Sequence, residues 1–133
     1  MSKLSTTLPA QPVLNVTVGE SMARSLARAR TVMEALQRGR TPKPHFGISF
    51  AQVGQMLGVF TPKRWELIAT LRETGPLTTA ELARKLNRDY KNVHADVAAL
   101  AEWLAVERRA DGRVHVPWSE IVLDLKLPNR LAA

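Results

Sequence analysis

Two clusters of side chains could recognise a polyanion. Arg88, Tyr90, Lys91, Asn92, His94 and Ala95 fall within eight residues, and Arg108, Arg109 and Arg113 surround an Asp111-Gly112 pair. Neither grouping suggests covalent chemistry; both suit the reading of double-stranded DNA. Arginine or lysine can donate to guanine, asparagine can bond adenine bidentately, and alanine permits close approach or touches a thymine methyl. Arginines at a hairpin tip can reach phosphates or the minor groove, where negative potential favours them. Thr79, with Lys63, Arg64 and Lys85, could help to position the phosphate backbone. Each grouping also has a plainer reading, as a solvated helix face or as arginines that serve only solubility. Tyr90 lies beside an apolar stripe, so the spacing favours a packed ring with its hydroxyl at the surface over base stacking.

The elements that would hold these residues can be read from spacing. Thr61-Pro62 pairs an N-cap with proline at the first helical position, and Gly75-Pro76 stops that helix. Thr78 with Glu81 forms a capping box for a second helix, whose buried stripe is Leu82, Ala83 and Leu86. Asn87-Arg88-Asp89 makes a tight turn, with Asp89 capping a third helix. Tyr90, Val93, Val97, Leu100 and Leu104 then recur at three and four, which sets an inner face. The outer face centres on Arg88, Lys91, Ala95 and Glu102, with Asn92 and His94 at its margins. Asp111-Gly112 between short apolar runs predicts a hairpin. Three helices and a hairpin in this order, over residues 61–118, predict a winged helix-turn-helix.

Residues 13–60 read as a strand–helix–strand extension with a short second helix. Leu14, Val16 and Val18 alternate, as do Phe46, Ile48 and Phe50. Between them Met22, Leu26, Ala29, Met33 and Leu36 recur at helical spacing, and Gly39 is placed to end that helix. Gln52–Leu57 continue as the short helix, and GQMLG lacks the lysine and spacing of a phosphate loop. The extension is too small for its own core and should pack on the rest, on a second copy, or on another partner. Residues 1–12, polar with two prolines, read as a flexible arm. Residues 119–133 read as a C-terminal strand and tail, in which Ile121, Leu123, Leu125 and Leu127 alternate. The fold class expected is α+β, mainly helical.

A chain of 133 residues with net charge +7 and pI near 10.6 favours a polyanionic partner. The excess is uneven. Residues 1–60 hold seven Lys/Arg against two acids, whereas residues 61–118 hold ten against eight. A DNA face on the latter must therefore come from local segregation of charge. The absence of cysteine excludes disulfides, thiolate zinc sites and cysteine nucleophiles. His45, His94 and His115 have no metal-ligand spacing, so no metal, cofactor or enzymatic activity is expected. No apolar run approaches a membrane span and the N-terminus lacks a secretory signal, so the expectation is a cytoplasmic protein.

At residues 46–127, FGISF, LGVFTPKRWELIATL, LTTAELARKLNRDYKNVHADVAALAEWLAV and VHVPWSEIVLDLKL resemble the MarR-like family of predicted transcriptional regulators. RDYKNVHADV carries most of that likeness. The resemblance implies DNA binding through Arg88, Tyr90, Lys91, Asn92 and His94 in a homodimer, with repression of its own operon. It also implies an alternative, since some relatives are antitoxins: a module that binds and neutralises a toxin protein, with DNA binding secondary. Trp65 and Trp103 stand where the family has simpler residues.

Overall fold

Hydrogen-bonding side chains at the right offsets start the first two helices of the segment 61–118. The computed structural model describes residues 11–19, 22–41 and 45–126. In chain order they form β1 (Val13–Val18), α1 (Met22–Gln37), β2 (Phe46–Phe50), α2 (Val53–Val59), α3 (Pro62–Thr74), α4 (Thr79–Leu86), α5 (Tyr90–Glu102), β3 (Glu107–Arg108), β4 (Val114–His115) and β5 (Glu120–Asp124). The chain is α+β, with five helices and a small parallel sheet among the described residues.

The Thr61 hydroxyl accepts from the Arg64 backbone N–H at 3.2 Å and starts α3. At α4 the Thr78 hydroxyl accepts from Glu81 N at 3.2 Å, and Glu81 Oε1 accepts from Thr78 N at 2.9 Å. Two backbone donors at the start of the helix are thereby satisfied reciprocally. Asn87 then leaves α4 in the left-handed region, at φ 54°, and turns the chain directly into α5. Asp89 occupies the N-cap position of α5, but its side chain makes no capping hydrogen bond. Gly39, at φ 72°, closes α1: its N–H donates to Leu36 and the Arg40 N–H to Ala35.

The sheet has β1 at its centre, with β2 and β5 parallel on either side. Leu14 pairs with Phe46 and Ile121, and Val16 with Ile48 and Leu123. One sheet face is therefore wholly apolar and packs on the helices, with Leu14, Val16 and Phe50 buried. The segments at the two ends of the chain thus complete one element. Pro12, expected within a flexible arm, is anchored there: its carbonyl accepts from the Ser119 backbone N–H at 2.8 Å and hydroxyl at 2.9 Å. The rest of that arm, residues 1–10, lies outside the described residues, as do residues 127–133 of the tail. The strand expected to run to Leu127 ends at Asp124.

Helix α1 departs from its neighbours. The sequence left core packing open for its apolar stripe, but no residue of α1 is buried. Met22 is 75% exposed, Leu26 61%, and Met33 and Leu36 60% each. Its partly covered residues form the narrow row Arg28, Val32 and Ala35. No helix among the described residues is long and apolar enough to cross a membrane.

Candidate nucleic-acid interface

The surface of interest is built on α5. Val93, Val97 and Leu100 are fully buried and fix one side of it in the core that also holds Leu67, Ile68 and Leu71 of α3 and Leu82 and Ala83 of α4. Helical periodicity then turns Lys91, Asn92, His94 and Ala95 outward, and all four are exposed. Among the described residues neither Lys91 nor Asn92 has a side-chain hydrogen bond or ion pair, so both heads are free to meet a ligand.

The two ends of the predicted inner stripe behave otherwise. Tyr90 was expected to pack its ring, but it is 52% exposed and lies against His94, ring centroids 5.9 Å apart. It stands one turn beyond the edge of the core, so the stripe continues where there is nothing left to cover it. Leu104 at the other end is exposed as well and takes a left-handed conformation, φ 68°. Its carbonyl accepts from Trp118 Nε1 at 2.7 Å, which fixes the exit of α5 to the start of β5. Phe50 stacks on Trp103 at 4.3 Å and joins the same end to the sheet.

Two residues expected at the surface are withdrawn. Thr79 is 7% exposed, because the first position of α4 faces the core rather than the solvent. Arg88, assigned to phosphate or base contact, is held by Asp96: Nη2 donates to Oδ2 at 2.7 Å. The other oxygen of Asp96 accepts from Arg64 Nε at 3.0 Å. Arg64 Nη1 reaches on to the carbonyls of Gly58 and Val59, both at 3.1 Å. One carboxylate in the middle of α5 therefore ties the turn before that helix to the first turn of α3. Arg88 Nη1 is buried without a hydrogen-bond partner, so its guanidinium is only half satisfied by this arrangement. Asp96 stands eight residues beyond Arg88, about two helical turns on, and that offset was the available signal.

The hairpin follows α5 in the chain, and its second strand lies against α3. β3 and β4 pair antiparallel, Glu107 with His115 and Arg108 with Val114. Gly112, at φ 85°, allows the turn, and Asp111 Oδ1 accepts from the Arg113 N–H at 3.0 Å. Leu77, just before α4, exchanges two backbone hydrogen bonds with Val114 and so adds a third short rung. Arg108, Arg109 and Arg113 are all exposed on this hairpin. Arg109 lies 3.9 Å from Asp111, a loose contact open to solvent. His115 Nε2 and Glu107 Oε1 are 3.2 Å apart across the ladder.

Glu81 links the hairpin to α4 electrostatically. The Thr78 backbone N–H, and then its hydroxyl, hold the Glu81 carboxyl below its ordinary value of 4.5; desolvation opposes this, and Arg113 and Arg84 add to the lowering. Among the described residues no group of three or more His, Cys, Asp or Glu could hold a metal ion.

A family model described as HVO_A0114 matches residues 59–123, from the last residue of α2 into β5. The matched stretch is just under half of the chain and includes α3, α4, α5 and the hairpin. No curated protein and no solved structure matches the chain.

Proposed function

We propose that the chain is a sequence-specific regulator that binds double-stranded DNA, with α3, α4, α5 and the hairpin acting as a winged helix-turn-helix. The observation that carries this reading is the exposed, unpaired pair Lys91 and Asn92 at the front of α5, a helix clamped on its other side by a buried stripe. A helix held so firmly can offer base-reading heads to a major groove without first ordering itself. Lys91, Asn92 and His94 read base edges, Ala95 lets the backbone come close, and Tyr90 stands at the margin of the contact. Arg108, Arg109 and Arg113 hold phosphates from the hairpin. Arg88 and Arg64 act one step back, by fixing the angle at which α5 is presented. The likeness of residues 46–127 to MarR-like regulators supports the same reading.

As a regulator the protein works in pairs, with one reading helix per half-site and half-sites about 34 Å apart. The test is selection from random duplexes with the purified full chain, followed by titration of DNA upstream of its own coding sequence. Enrichment of a two-fold motif that binds roughly a thousandfold tighter than random duplex is the expected result. Equal affinity for every duplex would reduce the surface to a general basic patch and remove the reading.

A further inference from the structure

We infer that α1 is the seam of a parallel, two-stranded coiled coil between two copies of this chain. The apolar residues Met22, Leu26, Ala29, Met33 and Leu36 follow one another at spacings of four, three, four and three. That is the heptad rhythm of a narrow a/d seam, not the broader stripe of a helix lying on a core. Leu26 and Met33 take the a positions, and Met22, Ala29 and Leu36 the d positions.

The helix cannot bury this seam on its own molecule. Its partly covered residues are Arg28, Val32 and Ala35, and at about 100° per residue the exposed seam points roughly a third of a turn away from them. The sheet offers little alternative ground. Its face away from the core is mixed: Asn15, Thr17, Gly47, Ser49, Glu120 and Asp124 surround two partly covered valines, Val13 and Val122, and Asn15 and Thr17 are bonded to the carbonyls of Phe46 and Ile48. An isolated helix of 16 residues is marginal in water, so α1 needs a partner surface to persist.

A second copy fits that need. The residues flanking the seam are Ser25 and Val32 on one side, and Ala23, Arg30 and Gln37 on the other. In a parallel pair Ser25 meets the second copy's Arg30, and Val32 meets its Gln37, so no like charges oppose. An antiparallel pair would set Arg30 against its own counterpart. No acid lies on either flank, so a basic partner finds nothing to hold. The four large side chains offer on the order of 500 Å² per copy, and the pair reaches roughly the 1,000 Å² that a specific interface needs. The seam serves the paired reading proposed above, but it exists or fails without DNA.

The experiment is therefore done on the full chain in the absence of DNA, by light scattering on a sizing column. A dimer mass is expected. Leu26→Glu and Met33→Glu should each weaken association by roughly a hundredfold or more. Because neither residue is buried, both variants should keep the melting transition of the folded body. The chain has no native cysteine, so Ala29→Cys and Leu36→Cys report geometry cleanly. Under mild oxidation both should give intermolecular disulfides, since a parallel pair brings like d positions within reach. Cross-linking at position 29 alone would mean an antiparallel pair and overturn the parallel seam. A dimer indifferent to Leu26→Glu and Met33→Glu would place the interface elsewhere. A monomer at every concentration overturns the proposal outright, and one that binds phosphatidylglycerol vesicles through α1 would reassign the stripe to a membrane surface. Cognate DNA binding that persists in such a monomer would leave the DNA reading standing while this seam falls.

Discussion

The carboxylate of Asp96 holds Arg88 Nη2 at 2.7 Å while its other oxygen accepts from Arg64 at 3.0 Å. Arg88 is thus a strut between the turn and the body of α5, with only a fifth of its side chain exposed. Asp96→Asn leaves two guanidinium groups facing an amide, and should cost about 1–3 kcal/mol of stability. Arg88→Met should likewise lower the melting temperature, while the salt dependence of DNA binding falls by less than one phosphate contact. An unchanged melt together with a slope lower by about one would make Arg88 a direct phosphate contact instead.

Lys91 and Asn92 should behave differently, because neither supports the fold. Lys91→Ala and Asn92→Ala should each melt with the parent protein and lose about 1–3 kcal/mol on the preferred duplex. The loss should be concentrated at one or two base pairs, seen as relaxed preference when those pairs are varied in a competition titration. Equal losses on preferred and random duplexes would take both residues out of base reading.

The hairpin arginines make a third class. Arg113 lies at the turn, exposed, with its charge felt by Glu81 at the start of α4. Arg113→Ala should weaken every duplex alike and reduce the slope of log affinity against log salt by about one. Arg108→Ala should do the same. A change in sequence preference with an unaltered slope would mean that the hairpin reads bases rather than holding phosphates.

What was legible in the sequence was what is local. Thr61, the Thr78–Glu81 box and Gly39 act within four residues, so their spacing was enough to place three helix ends. Val93, Val97 and Leu100 were legible for the same reason. The pairing of β1 with β5 was not, because it joins residues about a hundred positions apart and leaves no mark in either segment alone. Tyr90 and Leu104 continue the period of the α5 stripe beyond the core that covers it, and periodicity carries no information about where neighbours end. Thr79 and Arg88 were misplaced by residue type: a hydroxyl and a guanidinium suit phosphate equally well whether or not another part of the chain has already taken them. For α1 the difficulty ran the other way. Its seam was plain in the spacing, and only the exposure of Leu26 and Met33 removes the chain's own core as the cover.

Glu81 supplies a prediction in which the sign can be worked out. Its carboxylate accepts from the Thr78 backbone N–H in the folded state, with Arg113 and Arg84 nearby, so its folded value lies below the ordinary 4.5. A carboxyl lowered on folding contributes stability above its unfolded value and loses it as pH falls through the folded one. Glu81→Gln keeps an acceptor at the cap but does not titrate. The stability difference between the parent protein and Glu81→Gln should therefore be constant at neutral pH and shrink below about pH 4.5. Thr78→Ala should cost about 1 kcal/mol at neutral pH through the lost cap and should reduce the acid-dependent part as well. Thermal melts taken in steps from neutral to acidic buffer decide the matter. A parent–variant difference that stays constant through the acid range would mean that the box is held by geometry and not by the charge on Glu81.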